Sequence, residues 1–355
     1  MSTGPAQAFP VGEHLLEELE ARGWTQAEFA EILARPPQVV SEIISGKKEI
    51  TRESAAQIGA ALGTSAEYWL NLQDAYHLWR QRQDERNRQQ LEEVRLRARL
   101  KELAPVAVLR KRGVITETTT RGQAEQLRRL FGLESIFDDP LLPIAARRSN
   151  LSERVSPTQS TWLACVRREA ERLAISPYSS RRYRALCERL SRDMGTPSAF
   201  SDLPHAFAES GVRLVYVEAF PASKIDGASF LLGKAPVIGL SGRGHRLDKV
   251  LFTLLHEAAH IVLDHIADGV ILDDEHCDAL EQEQDADELA AHWALPQGLP
   301  DIPDRIGQTW LLSTASTLGV HPIVVVGRLQ KAGVITWRSA LAKDAPTVTR
   351  YLQDW

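Results

Sequence analysis

Residues 254–265 read LLHEAAHIVLDH, placing two histidines four positions apart with a glutamate directly after the first. In a helix, positions i and i+4 share a face, so His256 and His260 would offer both imidazoles to a single ion. Glu257 then stands beside them, placed to take a proton from a water that the ion activates, as in a metal-dependent hydrolase. A buried amphipathic helix with two incidental histidines would carry the same short pattern. Catalytic zinc takes three protein ligands and keeps its fourth position open. The chemistry therefore needs a third ligand from elsewhere in the chain.

The elements around the motif belong to a domain of mixed class. Two amphipathic helical stretches are expected near 159–193, followed by VRLVYVEAF and GASFLLGKAPVIGL, which cluster β-branched and aromatic residues as strands do. Helical pattern resumes at Leu247 and runs through the motif, predicting an α+β domain over 151–336 with residues 337–355 as a C-terminal tail. Arg243, Arg246 and Asp248 read as a salt-bridged turn before that helix. GVHPIVVVGRLQ is apolar enough for a core, which makes His321 structural. Acidic residues recur from Asp264 to Asp304 without a single Lys or Arg, yet the EF-hand loop pattern is missing, so a solvated loop is expected there and not a calcium site. Cys165, Cys187 and Cys277 are spaced too widely for a disulfide framework or a CxxC pair. Cys277, just after His276, is a nearby thiol that zinc would accept.

The first 79 residues are punctuated as short helices. VGEHLLEELEARG ends at a glycine; Thr25 with Glu28 forms a capping box; Pro36 and Pro37 suit a first turn; Thr51 and Ser65 cap two more helices. Residues 80–150 read as a helical, basic connector broken at Pro105, Gly113, Gly132, Pro140 and Pro143.

Over residues 9–79 the sequence resembles the XRE-type helix-turn-helix domains, most closely their HigA-like antitoxin branch, through ISGKKEIT and ALGTSAEYWLNLQ. The resemblance implies an all-α DNA-binding module whose second helix enters the major groove. Gln26 would then touch phosphate, Gln38 and Ser41 would face bases, and Lys47 and Lys48 would hold the backbone. Residues 1–80 nevertheless carry six basic residues against eleven acidic ones, little with which to neutralise phosphate, and Glu42 lies in the recognition helix. A dimerisation or partner-docking module with the same fold is the alternative.

Residues 200–336 resemble the ImmA/IrrE metallo-endopeptidases, from GASFLLGKAPVIGLSGRGHRLDKVLFTLLHEAAHIVLDH through EQEQDADELAAHWALP to GVHPIVVVGRLQKAGVI. Members of that family commonly follow an XRE domain and cut repressor-type partners during stress or mobile-element induction. The resemblance implies a zincin-like fold and a third ligand from the Glu-Ala-Asp/Asn-x-Phe-Ala helix. The matching position here is Asp285, one methylene shorter than the family's glutamate, with Glu281 or Glu288 as substitutes. Asp287 falls where a residue would orient a ligand histidine; Asp264 or His265 could do the same.

The chain has 355 residues, 43% of them hydrophobic and 25% charged, and a net charge of −5. That composition is globular, and no apolar run approaches the ~20 residues of a membrane span. Its opening residues do not read as a secretory signal, so the cytoplasm is the expected compartment. The charge is uneven: from residue 80 to 129 Lys and Arg outnumber acidic residues two to one. The expectation for the whole is a multidomain protein binding zinc, with manganese as the alternative metal, and acting as a homodimer on a DNA operator. Its protein substrate would be a repressor or antitoxin. The rival is a DNA-binding antitoxin or autoregulator, with a toxin partner, whose protease-like domain is a non-catalytic sensor.

Overall fold

The computed structural model describes residues 7–140, 155–268, 270–274 and 281–355. The chain divides into two compact units, Met1–Arg97 and Ala98–Trp355.

The first unit is helical: α1 Val11–Arg22, α2 Gln26–Ile32, α3 Pro37–Ile44, α4 Arg52–Leu62, α5 Ala66–Gln83, and the start of α6 Glu85–Leu103. The boundaries follow side-chain chemistry. Thr25 accepts from the Glu28 amide while the Glu28 carboxylate accepts from the Thr25 amide at 2.7 Å, closing a capping box on α2. Thr51 and Ser54 close another on α4, Pro37 opens α3, and Ser65 caps α5. Leu15, Leu19, Phe29, Val40, Ile58 and Trp69 form the core. Buried Gln73 fixes the segment after α3 by bonding both the amide and the carbonyl of Ile50, at 2.7 and 3.1 Å.

The second unit continues with α7 Val106–Lys111, α8 Thr120–Phe131, α9 Pro157–Glu171, α10 Ser180–Asp193 and α11 Leu203–Ser210. Strands β1 Arg213–Tyr216, β2 Ile225–Leu232 and β3 Ala235–Leu240 follow, then α12 Leu247–Val262, β4 Ile271–Asp274, α13 Glu281–Ala294, α14 Gln308–Leu318, α15 Pro322–Lys331 and α16 Thr349–Leu352. The sheet order is β1-β3-β2-β4; β1 runs parallel to β3, and the other two pairs are antiparallel. Gly239 of β3 meets Val166 and Trp162 of α9, whereas Gly227 of β2 meets Glu257 and Thr253 of α12, so the two helices cover opposite faces of the sheet. Helices α12, α13 and α15 complete the core around Leu254, Leu255, Ala290, Trp293 and Val325.

The division of the chain differs from the sequence-based expectation at two places. The basic connector is split, because Leu100, Leu103, Leu109 and Leu127 are buried and Arg112 donates to the carbonyls of Glu218 and Ala219. Residues 337–355 are built into the second unit and form no separate tail: Arg246 bridges Thr347, Val348 donates to the His245 carbonyl at 2.9 Å, and Val348 and Leu352 are buried. Among the described residues no single helix is long and apolar enough to cross a membrane; α14 and α15 together reach that length only as a bent pair, and both belong to the core.

Candidate metal centre

Helix α12 is buried along most of its length, and α13 packs against it. On α13 the apolar stripe Ala286, Ala290, Trp293 and Ala294 faces inward, and helical spacing puts Glu283 and Asp287 on that stripe. Two histidines from α12 and two carboxylates from α13 therefore meet.

His256 Nε2 lies 3.1 Å from Glu283 Oε2 and 3.0 Å from His260 Nε2, and His260 Nε2 is 3.6 Å from the same carboxylate oxygen. All three side chains are buried, and together they form a group able to hold a metal ion. The outer nitrogens are also held: Asp287 Oδ1 is 2.9 Å from His256 Nδ1, and His265 Nδ1 is 3.0 Å from His260 Nδ1. Such partners fix a ring so that Nε2 points at an ion.

Two imidazole nitrogens and a carboxylate are a donor set that zinc accepts, and bonds of ~2.0–2.1 Å in a tetrahedron place ligand atoms about 3.3 Å apart. The three separations fit that requirement. The electrostatics fit as well, since ligands must be deprotonated. Burial pushes His260 below the ordinary imidazole value, against the opposing pull of Glu283. Burial would raise Glu283, but hydrogen bonds to His256 and His260 outweigh it and hold the carboxyl down at about 2. Asp287 is lowered in the same way, its burial outweighed by His256 and Lys331.

Asp285 is not among the converging groups. It is exposed on α13, as are Glu281 and Glu288, and its charge acts on His265. Two residues from Glu283 is a rotation of roughly 200° about a helix, which turns Asp285 away from α12. Glu283 is the residue that sequence reasoning missed. Its signal was its place on the apolar stripe, four residues before Asp287.

Glu257 is fully buried beside the histidines and reaches β2, where a Cβ on Gly227 would stand 2.6 Å from its Oε1. A cleft of about 730 Å³ opens on the centre, lined by His256, Glu283 and Asp287 together with Phe252, Val324 and Trp337. The turn before α12 is salt-bridged, Arg246 to Asp248 at 2.6 Å and Arg243 to Asp226 at 3.4 Å. His321 caps α15, its Nδ1 accepting from the Ile323 amide at 3.1 Å. Cys165 and Cys187 are buried free thiols. His276 and Cys277 lie outside the described residues.

In the first unit Gln38 and Ser41 are exposed three residues apart on α3, hence on one face, and Gln38 Nε2 donates to Glu42 Oε1 at 2.9 Å. Lys47 and Lys48 are exposed in the turn that follows, their amides bonded to the Glu42 carbonyl at 2.8 and 3.0 Å. Gln26 is half-buried at the start of α2.

Two family models match the chain: a helix-turn-helix over residues 15–69 and an IrrE N-terminal-like domain, of a peptidase family, over residues 208–329. Antitoxin HigA-1 of Vibrio cholerae is 42% identical over 83 residues, covering 23% of this chain and 74% of that protein. An HTH-type transcriptional regulator of Haemophilus influenzae is 35% identical over 86 residues, 24% of this chain and 80% of the relative. YddM of Escherichia coli, another HTH-type regulator, is 33% identical over 67 residues, 19% of this chain and 71% of its own length. No solved structure matches the chain significantly.

Proposed function

We propose that this chain, which belongs to the XRE-type helix-turn-helix regulators and carries an IrrE N-terminal-like peptidase domain behind that module, is a DNA-binding regulator with metal-dependent endopeptidase activity. Its substrate is a repressor or antitoxin-like protein. The observation that carries this reading is the convergence of His256, His260 and Glu283 in one buried cluster, with Glu257 beside it and a cleft in front.

A divalent ion bound there supplies Lewis acidity to the scissile carbonyl and makes a water acidic enough to attack at neutral pH. The chain's own groups do the rest. Glu257 accepts the proton of the attacking water on its carboxylate and returns it to the departing amine. Asp287 and His265 hold the two histidine rings. Zinc is the metal favoured by this donor set, with manganese the alternative.

The test pairs metal content with turnover. Purified wild type retains about one divalent ion per chain, as a three-ligand site requires, and cleaves a co-expressed repressor encoded near it. Glu257→Gln keeps the ion and loses cleavage. Full cleavage by that variant would sink the reading.

A second reading is favoured by the 42% identity to an antitoxin. In it the chain is an antitoxin or autoregulator paired with a toxin, and the second unit is a non-catalytic sensor. An intact metal site with no cleavage of any neighbouring protein, alongside operator repression that the metal modulates, would establish it.

A further inference from the structure

One wall of the cleft is α15, whose Gly327 lies close to Asp248 of α12 and whose Arg328 and Lys331 line the opening beside His256, Glu283 and Asp287. The cations of this cleft are nearly all matched. Arg246 pairs with Asp248 at 2.6 Å, Lys249 with Asp226 at 3.1 Å and Lys331 with Asp287 at 3.3 Å. Arg328 differs: its guanidinium is half-buried, yet among the described residues it has no hydrogen-bond acceptor and no carboxylate within ion-pair distance. Asp287 is the anion that acts on it, but Asp287 already gives one oxygen to His256 and the other to Lys331. Burial accordingly pushes Arg328 below the usual arginine range.

A guanidinium carries five donors in a rigid fork that matches a carboxylate, and desolvating it without an acceptor is unfavourable. A carboxylate brought into the cleft by a ligand would supply that acceptor. A surface role for the arginine would need its head in open water, whereas this one stands half-buried in the wall facing the candidate metal ligands. The neighbouring surface supplied by Phe252, Val324 and Trp337 is apolar, and Trp337 is 66% exposed.

We propose that Arg328 is a specificity residue that binds an Asp or Glu side chain of the substrate polypeptide, next to apolar or aromatic residues that lie against Phe252, Val324 and Trp337. This rests on the peptidase reading for the identity of the ligand as a polypeptide. An internal acidic side chain is favoured over a terminal carboxylate because the cleft is open and an endopeptidase takes a chain that continues in both directions.

The experiment uses acetylated, amidated decapeptides containing one tryptophan, in which a single glutamate or its glutamine twin is moved through each position. The scanned side chain is then the sole carboxylate. Binding to full-length, metal-depleted protein is measured by calorimetry for wild type, Arg328→Lys and Arg328→Ala. Wild type binds one positional glutamate isomer about 10- to 100-fold tighter than its twin, the range for a charge-assisted pair. The ratio falls toward one in Arg328→Ala and stays intermediate in Arg328→Lys, which keeps the charge if the alanine variant fails to fold. Equal binding of every twin pair by wild type, or a preference unchanged in both variants, overturns the proposal. So does a free-acid version of the glutamine twin that binds wild type as tightly as the best amidated glutamate isomer. The same peptides are then given to zinc-loaded protein. A preserved glutamate preference without cleavage removes the peptidase reading and keeps the Arg328 pocket; cleavage without preference does the reverse.

Discussion

Glu283 and Asp285 stand two positions apart in sequence and roughly 200° apart around their helix. That separation gives a direct test of the ligand set. Glu283→Ala should leave purified protein without bound metal, whereas Asp285→Ala should retain it, as read by elemental mass spectrometry after exposed ions are removed. Metal lost in Asp285→Ala and kept in Glu283→Ala would restore the aspartate. Asp287→Ala leaves all three donors in place and removes the partner 2.9 Å from His256 Nδ1. Its affinity for zinc should drop about 10- to 100-fold, the usual effect of losing such a partner. Proton linkage in the metal-depleted protein follows from His260, whose folded value is pushed down by burial. The fold then binds fewer protons than the unfolded chain at this site, so the contribution is fully present above the ordinary imidazole value and disappears as pH falls through the folded one. The stability gap between wild type and His260→Gln should therefore shrink on acidification, as followed by denaturant melts at stepped pH. A gap that widens would mean that the ring is charged in the fold.

At the scale of elements, the approach of β2 to α12 matters most for the proposed catalysis. A Cβ at position 227 would stand 2.6 Å from Glu257 Oε1 and 2.8 Å from its Cγ. Gly227→Ala should therefore displace the buried carboxylate and destabilise the protein by about 1–3 kcal/mol, as overpacking does. Metal content should survive, because His256 and His260 face α13 and not the sheet; turnover should fall. Loss of metal together with turnover would mean that the strand also holds the histidines. Much of this architecture was legible in advance where one residue decides an element: Thr25, Thr51 and Ser65 cap, Pro37 opens, and Gly23 and Gly63 end helices as their types dictate. The pairing of His256 with His260 was legible for the same reason, since both lie on a single helix. What escaped depends on how separate segments meet. Motif matching puts the third candidate ligand on Asp285, whereas the phase of the apolar stripe on α13 brings Glu283 against the two histidines. The edge strand β4, only four residues long, has no periodicity from which to read it. The burial of Val348 and Leu352 depends on a bridge to Arg246 a hundred residues earlier, which no local pattern reveals.

The whole molecule joins two units that each bury a core of their own, one around Phe29 and Trp69 and the other around Leu254 and Trp293. A site assembled from α12 and α13 lies entirely in the second unit, so metal should stabilise that unit alone. A ligand at 100 times its Kd adds ~2.7 kcal/mol to the state that binds it. For a unit of about 250 residues each kcal/mol moves the midpoint by about 2–4 °C, which predicts an upward shift of ~5 °C or more. Scanning calorimetry of the full chain should thus show two transitions, with added zinc raising one and leaving the other in place. His260→Ala should abolish the shift without moving the zinc-insensitive transition. Operator DNA should do the converse, raising the transition that zinc ignores. Its effect should weaken with salt, and less steeply in the Lys47→Ala/Lys48→Ala variant, since each phosphate left without its lysine reduces the slope of log K against log salt by about 0.9. A single transition raised by either ligand would instead mean that the units fold as one. The metal site and the DNA-binding unit would then be linked through global stability alone, each ligand raising the one midpoint further when the other is already bound.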